Sequence, residues 1–347
     1  MPLRIAVCSG QIPFVRGGSE ILTDALVEQL QARGHAVETV RIPLRWYPKE
    51  QILKGYLAWR LIDLEESEGE PIDRVIALKF PAFVVPHSHK TTWLVQQFRQ
   101  AYDLYGTPHS HLGGAEGDDE LRLAIRDMDR VGIAESEKVF AISNNVGRRL
   151  AQYNGVDSQT LYPPPAMDGQ YRHVCYGDYV LSLSRLNVLK RVDKLIEAMA
   201  RTSTGVRCLI AGRGQERERL ERLATQRGVA DRVRFLGFVE DREALDLYAN
   251  ALCVYYAPYD EDYGLATVEA GKSRKPVLTA DDSGGVLEFV RDGETGIVFP
   301  AKDTDALAES IDVLYSDRDR AARLGSRASE VVCDITWDRT IDTLLGG

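Results

Sequence analysis

The stretch LYPPPAMDGQYR, residues 161–172, interrupts an otherwise regular alternation of apolar runs and amphipathic segments. Its consecutive prolines have a fixed φ and no amide hydrogen, so they continue neither a helix nor a central strand. The segment reads as a domain boundary, and what lies on either side decides the fold. After it the pattern restarts as strand and helix in turn: DYVLSLS then RVDKLIEAMA, VRCLIAG then ERERLERLATQRG, RVRFLGF then DREALDLYANA. It goes on through LCVYYAP with the helix ATVEAGKSR, PVLTA with GGVLEFVRDG as a helix, and GIVFP with DTDALAESIDVLYSD. Short continuous apolar runs separated by helical segments predict parallel strands covered on both faces, an open doubly wound sheet.

Before the prolines the same grammar holds. LRIAVCSG is a strand and SEILTDALVEQLQARG a helix, with Leu22, Ala25, Leu26, Gln29 and Leu30 on one face, Ser19 as the expected cap and Gly34 as the stop. HAVETVRI follows at once, making a βαβ unit, and DRVIALKF, KTTWLVQQ and EKVFAIS continue the series. A chain of 347 residues is long enough for two such domains. Ligands of open α/β sheets bind beyond the carboxyl ends of the strands, so the cleft between two domains of this kind is the expected active site.

Composition narrows the class. With 44% hydrophobic and 27% charged residues the chain is an ordinary globular protein, and a formal charge of -9 does not suit a phosphate backbone, so no nucleic-acid partner is expected. Cys8, Cys175, Cys208, Cys253 and Cys333 show no CxxC and no paired framework, which predicts buried thiols in a reducing compartment. No apolar run has membrane-spanning length and the N-terminus lacks the pattern of a signal peptide, so a cytoplasmic protein is expected. RWYPKEQILKGYLAWRL mixes Arg45, Lys49, Lys54 and Arg60 with Trp46, Tyr56 and Trp59, a composition that suits either peripheral contact with the inner membrane face or a helix with one buried face.

The chemistry-bearing residues fall at the carboxyl ends of strands. SRLNVLKR carries Arg185 and Lys190 on a loop entering a helix, where cations and helix amides together suit an anion. Gly17 and Gly18 precede the first helix of the N-terminal half, a pairing that lets backbone approach a ligand or simply makes a turn. DEDYGLATVEA places Glu261 and Glu269 either side of a glycine turn. Two carboxylates would repel a diphosphate unless they point elsewhere and accept hydrogen bonds from hydroxyl groups. A nucleotide-sugar supplies hydroxyls at both ends of a diphosphate.

In their order and spacing, GGSE, SRLNVLKRVDKLIEAM, IAGRGQERERLE, FLGFVEDREALDLYANA, DEDYGLATVEAGKSRKPVL and GGVLEFVRDGETGIVF resemble the family 4 retaining glycosyltransferases along nearly the whole chain. The seven residues between Glu261 and Glu269 match that family's E-x7-E motif. The resemblance implies a GT-B fold, α/β, with two Rossmann-like doubly wound domains facing across a cleft: an acceptor-side domain at 1–167, a donor domain at 172–329, and a helix at 330–347 returning to the first. It implies that Arg185 and Lys190 bind the donor pyrophosphate, that Glu261 sits near the donor sugar beside the Gly264 and Leu265 amides, and that Glu269 binds the ribose hydroxyls. Gly17 and Gly18 would close over the phosphates, and Phe238 and Val239 would border the base. Where the family often carries a histidine, the aligned strand ends WLVQQF, so Gln96 or Gln97 would take the place as a sugar contact without a titrating group. The donor would be a UDP- or GDP-linked sugar, the acceptor a glycan, a lipid-linked or a small molecule, with no cofactor and no metal.

Other expectations compete. The pairs His87 with His89 and His109 with His111 are spaced for a shared metal, but both read as loop. GRGQER is a partial dinucleotide fingerprint lacking its third glycine. An epimerase or phosphorylase of the same fold, or a non-catalytic sugar-nucleotide sensor, would keep the same donor residues. YGTPHSHLGGAEGDD is a candidate mobile acceptor lid.

Overall fold

The computed structural model describes residues 2–346, and the chain divides into two compact units, 1–166 with 337–347, and 167–336. In the first unit the strands are β1 (Arg4–Gln11), β2 (Ala36–Pro43), β3 (Glu66–Ser67), β4 (Glu70–Pro71), β5 (Arg74–Lys79), β6 (Lys90–Gln96), β7 (Lys138–Ala141) and β8 (Gln159–Thr160). Its helices are α1 (Gly18–Ala32), α2 (Gln51–Arg60), α3 (Asp118–Ala134) and α4 (Asn144–Asn154). Six strands form one sheet in the order β2-β1-β5-β6-β7-β8, all pairs parallel, and β3-β4 is a small antiparallel hairpin.

The second unit holds β9 (Tyr179–Leu183), β10 (Arg207–Ala211), β11 (Val233–Gly237), β12 (Cys253–Tyr255), β13 (Val277–Ala280) and β14 (Gly296–Phe299). Between and after them run α5 (Val192–Met199), α6 (Arg217–Gln226), α7 (Asp241–Asn250), α8 (Leu265–Lys272), α9 (Thr304–Ser316) and α10 (Arg318–Val332); α11 (Trp337–Leu345) belongs to the first unit. The sheet order is β11-β10-β9-β12-β13-β14, again parallel throughout. The order reverses between β9 and β12, the switch point at which doubly wound sheets leave a crevice beyond the strand ends.

The second sheet is apolar on both faces because helices cover both. Val180, Cys208, Ile210, Cys253, Leu278 and Phe299 pack under α5, α6 and α9, while Tyr179, Leu181, Val254 and Val277 pack against α7 and α8. This is why strands as short as Cys253–Tyr255 are legible as unbroken apolar runs.

Several local expectations are corrected. Ser19 does not cap α1: Gly17 is the N-cap residue, its amide donates to Glu20 Oε2 at 2.9 Å, and Ser19 Oγ accepts from Lys79 Nζ at 3.0 Å. GGVLEFVRDG forms only a 3-10 turn at Gly285–Glu288, because Gly284 and Gly285 are drawn against the loop at Asp260–Asp262: Glu261 N donates to Ser283 O at 3.2 Å and Gly285 N to Glu261 O at 2.8 Å. Residues 330–332 are the last turn of α10, which packs on α8, and the segment that joins the first unit begins at Trp337, whose indole donates to Pro165 O at 3.0 Å. Cys175 and Cys333 are exposed, not buried, while Cys8, Cys208 and Cys253 are buried, and all five are free thiols.

Helix α2 buries Ile52, Tyr56 and Trp59 and exposes Leu53 and Leu57, with exposed Leu61 just after its end. His87 is built into the structure, Nε2 against Ile72 O at 3.1 Å and Nδ1 accepting from His89 N at 2.9 Å. The glycine-rich loop expected as a lid is pinned at its second half: the Gly113, Gly114 and Ala115 amides converge on buried Asp118 Oδ2, and Lys49 holds Oδ1 at 2.7 Å. Among the described residues no helix is long and apolar enough to cross a membrane.

A buried polar chain runs through the first unit. Tyr56 and Tyr102 both donate to Asp129, Asn154 Nδ2 donates to Tyr102 OH at 3.1 Å, and Gln97 Nε2 donates to Asn154 Oδ1 at 2.9 Å. Burial pushes the Asp129 carboxyl up to about 7 against the two tyrosine hydroxyls, which pull it down. A folded-state pKa above the unfolded one means that the folded chain keeps this proton, so its contribution is complete at acid pH and is lost as pH rises through about 7. Asp129→Asn is therefore expected to flatten the fall in stability between pH 5 and 8. Over that window the difference from wild type is at most about 3 kcal/mol, at roughly 1.4 kcal/mol per unit from pH 5 to about 7. Parallel urea melts at the two pH values check it, and parallel curves for both proteins would contradict the buried-acid assignment.

Candidate active site

The loops at the switch point of the second sheet bring most of the predicted residues of this unit together. β9 runs into Ser184–Arg191, β12 into Tyr256–Gly264, and α8 starts immediately after. Asn187 Oδ1 accepts from the Lys190 amide at 3.1 Å, closing the 3-10 turn Val188–Lys190 and turning the lysine inward. Lys190 Nζ donates to Glu261 Oε2 at 2.6 Å and to Tyr256 OH at 2.8 Å. Burial would lower the ammonium's pKa, but Glu261 and Tyr256 outweigh it and hold Lys190 above the ordinary lysine range, fully charged at neutral pH. An ammonium has three protons, and two are used here; the third is available to a ligand oxygen.

The arrangement explains the two carboxylates of the E-x7-E pair. Glu261 is neutralised by Lys190. Glu269, one helix later, accepts from Tyr248 OH at Oε2, 2.7 Å, and from Tyr171 OH at Oε1, 3.2 Å. Burial raises the Glu269 carboxyl while the two hydroxyls pull it down. Neither acid presents a bare charge to an anion in the crevice.

Gly264 sets where α8 begins. Its φ of +89° lies in the left-handed region, and a Cβ there would meet Val286 Cγ2 at 2.7 Å and Tyr256 Cε1 at 3.3 Å. The Thr267 amide donates to Gly264 O at 2.9 Å, which leaves the Leu265 and Ala266 amides without an acceptor in the helix, and with the helix dipole these favour negative charge. Arg185 lies exposed on the β9 loop. At the end of β11, Phe238 is 56% exposed with Val239 beside it, and the Arg213 guanidinium sits 5.1 Å from the Phe238 ring centroid. An exposed aromatic ring at a strand end suits stacking with a flat ligand group.

The glycines of GRGQER serve loop packing. A Cβ at Gly212 would fall 1.9 Å from Ser184 O, and one at Gly214 1.9 Å from Leu186 O. Backbone hydrogen bonds from Ser184 N to Ala211 O and from Leu186 N to Arg213 O join the two loops, so these glycines hold the Arg185 loop in place. Sequence reasoning missed Arg191, which is left-handed at φ 50° and holds the site's frame: its guanidinium binds both oxygens of Asp282 at 2.6 and 2.8 Å and the Ala257 and Pro258 carbonyls at 2.7 and 2.6 Å. It also missed Tyr171, Tyr248 and Tyr256, whose hydroxyls orient the charged groups.

In the first unit, neither Gly17 nor Gly18 has a positive φ, and open space surrounds the position where a Gly18 Cβ would be. Gly17's amide is taken by Glu20, and Glu20 is paired with buried Lys79 at the end of β5. Gln96 is exposed at the end of β6, whereas Gln97 is 1% exposed and its amide nitrogen is turned into the Asp129 chain. Among the described residues no group of three or more His, Cys, Asp or Glu side chains is placed to hold a metal ion.

Two parallel doubly wound sheets, with an anion-suited switch point framed by paired acids, define a GT-B-type fold. Residues 176–331 match the family model described as glycosyl transferases group 1. A GDP-mannose-dependent alpha-(1-6)-phosphatidylinositol monomannoside mannosyltransferase of Mycobacterium tuberculosis is 33% identical over 96% of this chain and 95% of its own. A D-inositol 3-phosphate glycosyltransferase of Nocardia farcinica is 30% identical over 73% of this chain, which spans 61% of that relative's length. Sucrose-phosphate synthase from Thermosynechococcus elongatus superposes with a TM-score of 0.76 at 20% identity, covering 99% of this chain and 97% of that one. The chain belongs to the group 1 glycosyltransferase family.

Proposed function

We propose that the protein is a retaining, metal-independent glycosyltransferase of family 4, moving a sugar from a UDP- or GDP-linked donor to an acceptor hydroxyl. The observation that carries this reading is Lys190, a half-buried ammonium fixed by Glu261 and Tyr256 with one proton to spare, at the switch point beside the start of α8. In the reaction the bond from the sugar's anomeric carbon to the diphosphate breaks and negative charge grows on the leaving oxygen. Lys190, Arg185 and the α8 amides supply positive charge there, the work that a metal ion does in other transferases. Glu269 accepts from the ribose hydroxyls, Phe238 and Val239 border the base, and Glu261 and the Gly264 and Leu265 amides border the donor sugar. The acceptor oxygen bonds to the same face of the anomeric carbon, and its proton passes to the leaving phosphate, so no protein nucleophile is required.

The first unit reads the acceptor, with exposed Gln96 as the sugar contact in place of a histidine. The exposed Leu53 and Leu57 of α2 and Leu61 just after it, with Lys54 among them, support peripheral membrane contact at the inner face and with it a lipid-linked acceptor. The Mycobacterium relative's name points the same way. Incubation with UDP- and GDP-linked sugars and a panel of lipid-linked, glycan and small-molecule acceptors tests the reading. The expected result is acceptor-dependent release of nucleoside diphosphate, unchanged by EDTA, with an α-configured product from an α-configured donor. Inversion of the anomeric centre, epimerised donor, or phosphate-dependent release of sugar phosphate would each replace it.

A further inference from the structure

The segment by which the chain enters the second unit does more than connect. Asp168 pairs with Lys272 at 2.7 Å, both side chains well shielded; Tyr171 OH donates to Glu269; Lys275 Nζ donates to His173 Nδ1 at 3.0 Å; and Tyr176 OH donates to Arg274 O at 2.8 Å. Residues 168–176 are thus strapped along α8 and the turn that follows it. Lys275 is fully buried under this strap, and burial pushes its amine down to about 8.

We propose that Tyr171 is a positioning residue of the donor site, and that with Tyr248 it fixes the plane of the Glu269 carboxylate so that both oxygens face a vicinal diol. The inference rests on Glu269 being the donor's hydroxyl acceptor. A glutamate on a helix surface rotates about its last side-chain bond, and one hydrogen bond leaves that rotation partly open. Here two hydroxyls arrive from different elements, the strap and α7, one on each oxygen. Each carboxylate oxygen keeps a further acceptor direction, and two parallel acceptors match the two adjacent hydroxyls of a ribose. The Tyr171 ring itself packs edge-on against Tyr248, centroids 6.1 Å apart, so removing only its hydroxyl leaves the packing in place.

The clamp has a specificity consequence, because a site built to hydrogen-bond a substrate hydroxyl rejects the analogue that lacks it. It also has a pH consequence. The groups facing Glu269 are Tyr171 from the strap, Tyr248 and Asp241 from α7, and Tyr256 beyond β12. Burial and Asp241 favour the protonated acid, and the two hydrogen-bonding tyrosines favour the carboxylate. Loss of the Tyr171 hydroxyl moves the acid limb of nucleotide affinity to higher pH.

The test is calorimetric titration of wild type, Tyr171→Phe, Tyr248→Phe and Glu269→Ala. The probes are whichever of UDP, GDP and ADP binds most tightly and its 2′-deoxy analogue, each from pH 5 to 8. Wild type is expected to favour the ribonucleotide by roughly tenfold or more. Tyr171→Phe should lose several-fold in ribonucleotide affinity but little in deoxynucleotide affinity, and its acid limb should rise by about one pH unit, the scale of one hydrogen bond to a charged group. Tyr248→Phe should do the same. An unchanged ribose preference and pH profile in Tyr171→Phe, or equal losses for both nucleotides, overturns the clamp while leaving Glu269 in its role. An unchanged ribose preference in Glu269→Ala overturns the underlying donor reading, and the clamp with it.

Discussion

Lys190→Ala is expected to lower turnover at saturating donor by roughly a hundredfold or more, the scale seen when one preorganised donor to a developing negative charge is removed. The structure makes the effect larger than loss of a surface cation. Lys190 is the ion-pair partner of Glu261, so its removal also takes that counter-charge away from the carboxylate. Lys190→Ala combined with Glu261→Gln separates the two contributions. Measured against Glu261→Gln alone, which gives the cost of losing that carboxylate from the donor sugar, partial recovery in the double variant would measure the repulsion and the deficit that remains the lost donor. A folded Lys190→Ala protein with wild-type turnover would remove Lys190 from the chemistry and leave it as a structural tie between the β9 and β12 loops.

The second large effect is at Gly264. An alanine there has to adopt a left-handed φ, which costs about 1–2 kcal/mol, and has to displace fully buried Val286 or the Tyr256 ring, an overpacking cost of about 1–3 kcal/mol. Gly264→Ala should therefore destabilise the protein by about 2–5 kcal/mol. Because the same movement displaces the start of α8 and Tyr256, nucleotide affinity should fall even where the protein remains folded. Chemical denaturation and nucleotide titration on one preparation check both. A stable variant with normal affinity would mean that the turn tolerates a side chain and does not set the helix start.

The parts of this molecule that were legible in its sequence are those whose cause is local or periodic. Strands buried on both faces, such as Tyr179–Leu183 and Val277–Ala280, announce themselves as unbroken apolar runs, and the prolines at 163–165 mark the end of the first series. Lys190, Glu261 and Glu269 could be picked out as candidates because they lie on or just after loops at strand ends. What partners them could not. Lys190 and Glu261 are 71 residues apart, Arg191 and Asp282 91 apart, and Tyr171 and Glu269 98 apart, so no window of sequence shows these contacts. The same applies to the errors. Ser19 has the chemistry of a cap, but Glu20 reaches back to Gly17 while Lys79, 60 residues away, takes the serine hydroxyl. GGVLEFVRDG has a helical pattern, but its glycines are committed to a close approach to the Glu261 loop.

In the proposed reaction the second unit holds a nucleoside diphosphate, with Glu269 gripping its ribose. Calorimetric titration of the protein with UDP, GDP, ADP and NAD, repeated on Glu269→Ala, is the decisive test. Selective binding of one nucleoside diphosphate is expected, weakened roughly tenfold or more when the carboxylate is removed. Binding of NAD alone, or nucleotide affinity unaffected by Glu269→Ala, would contradict it.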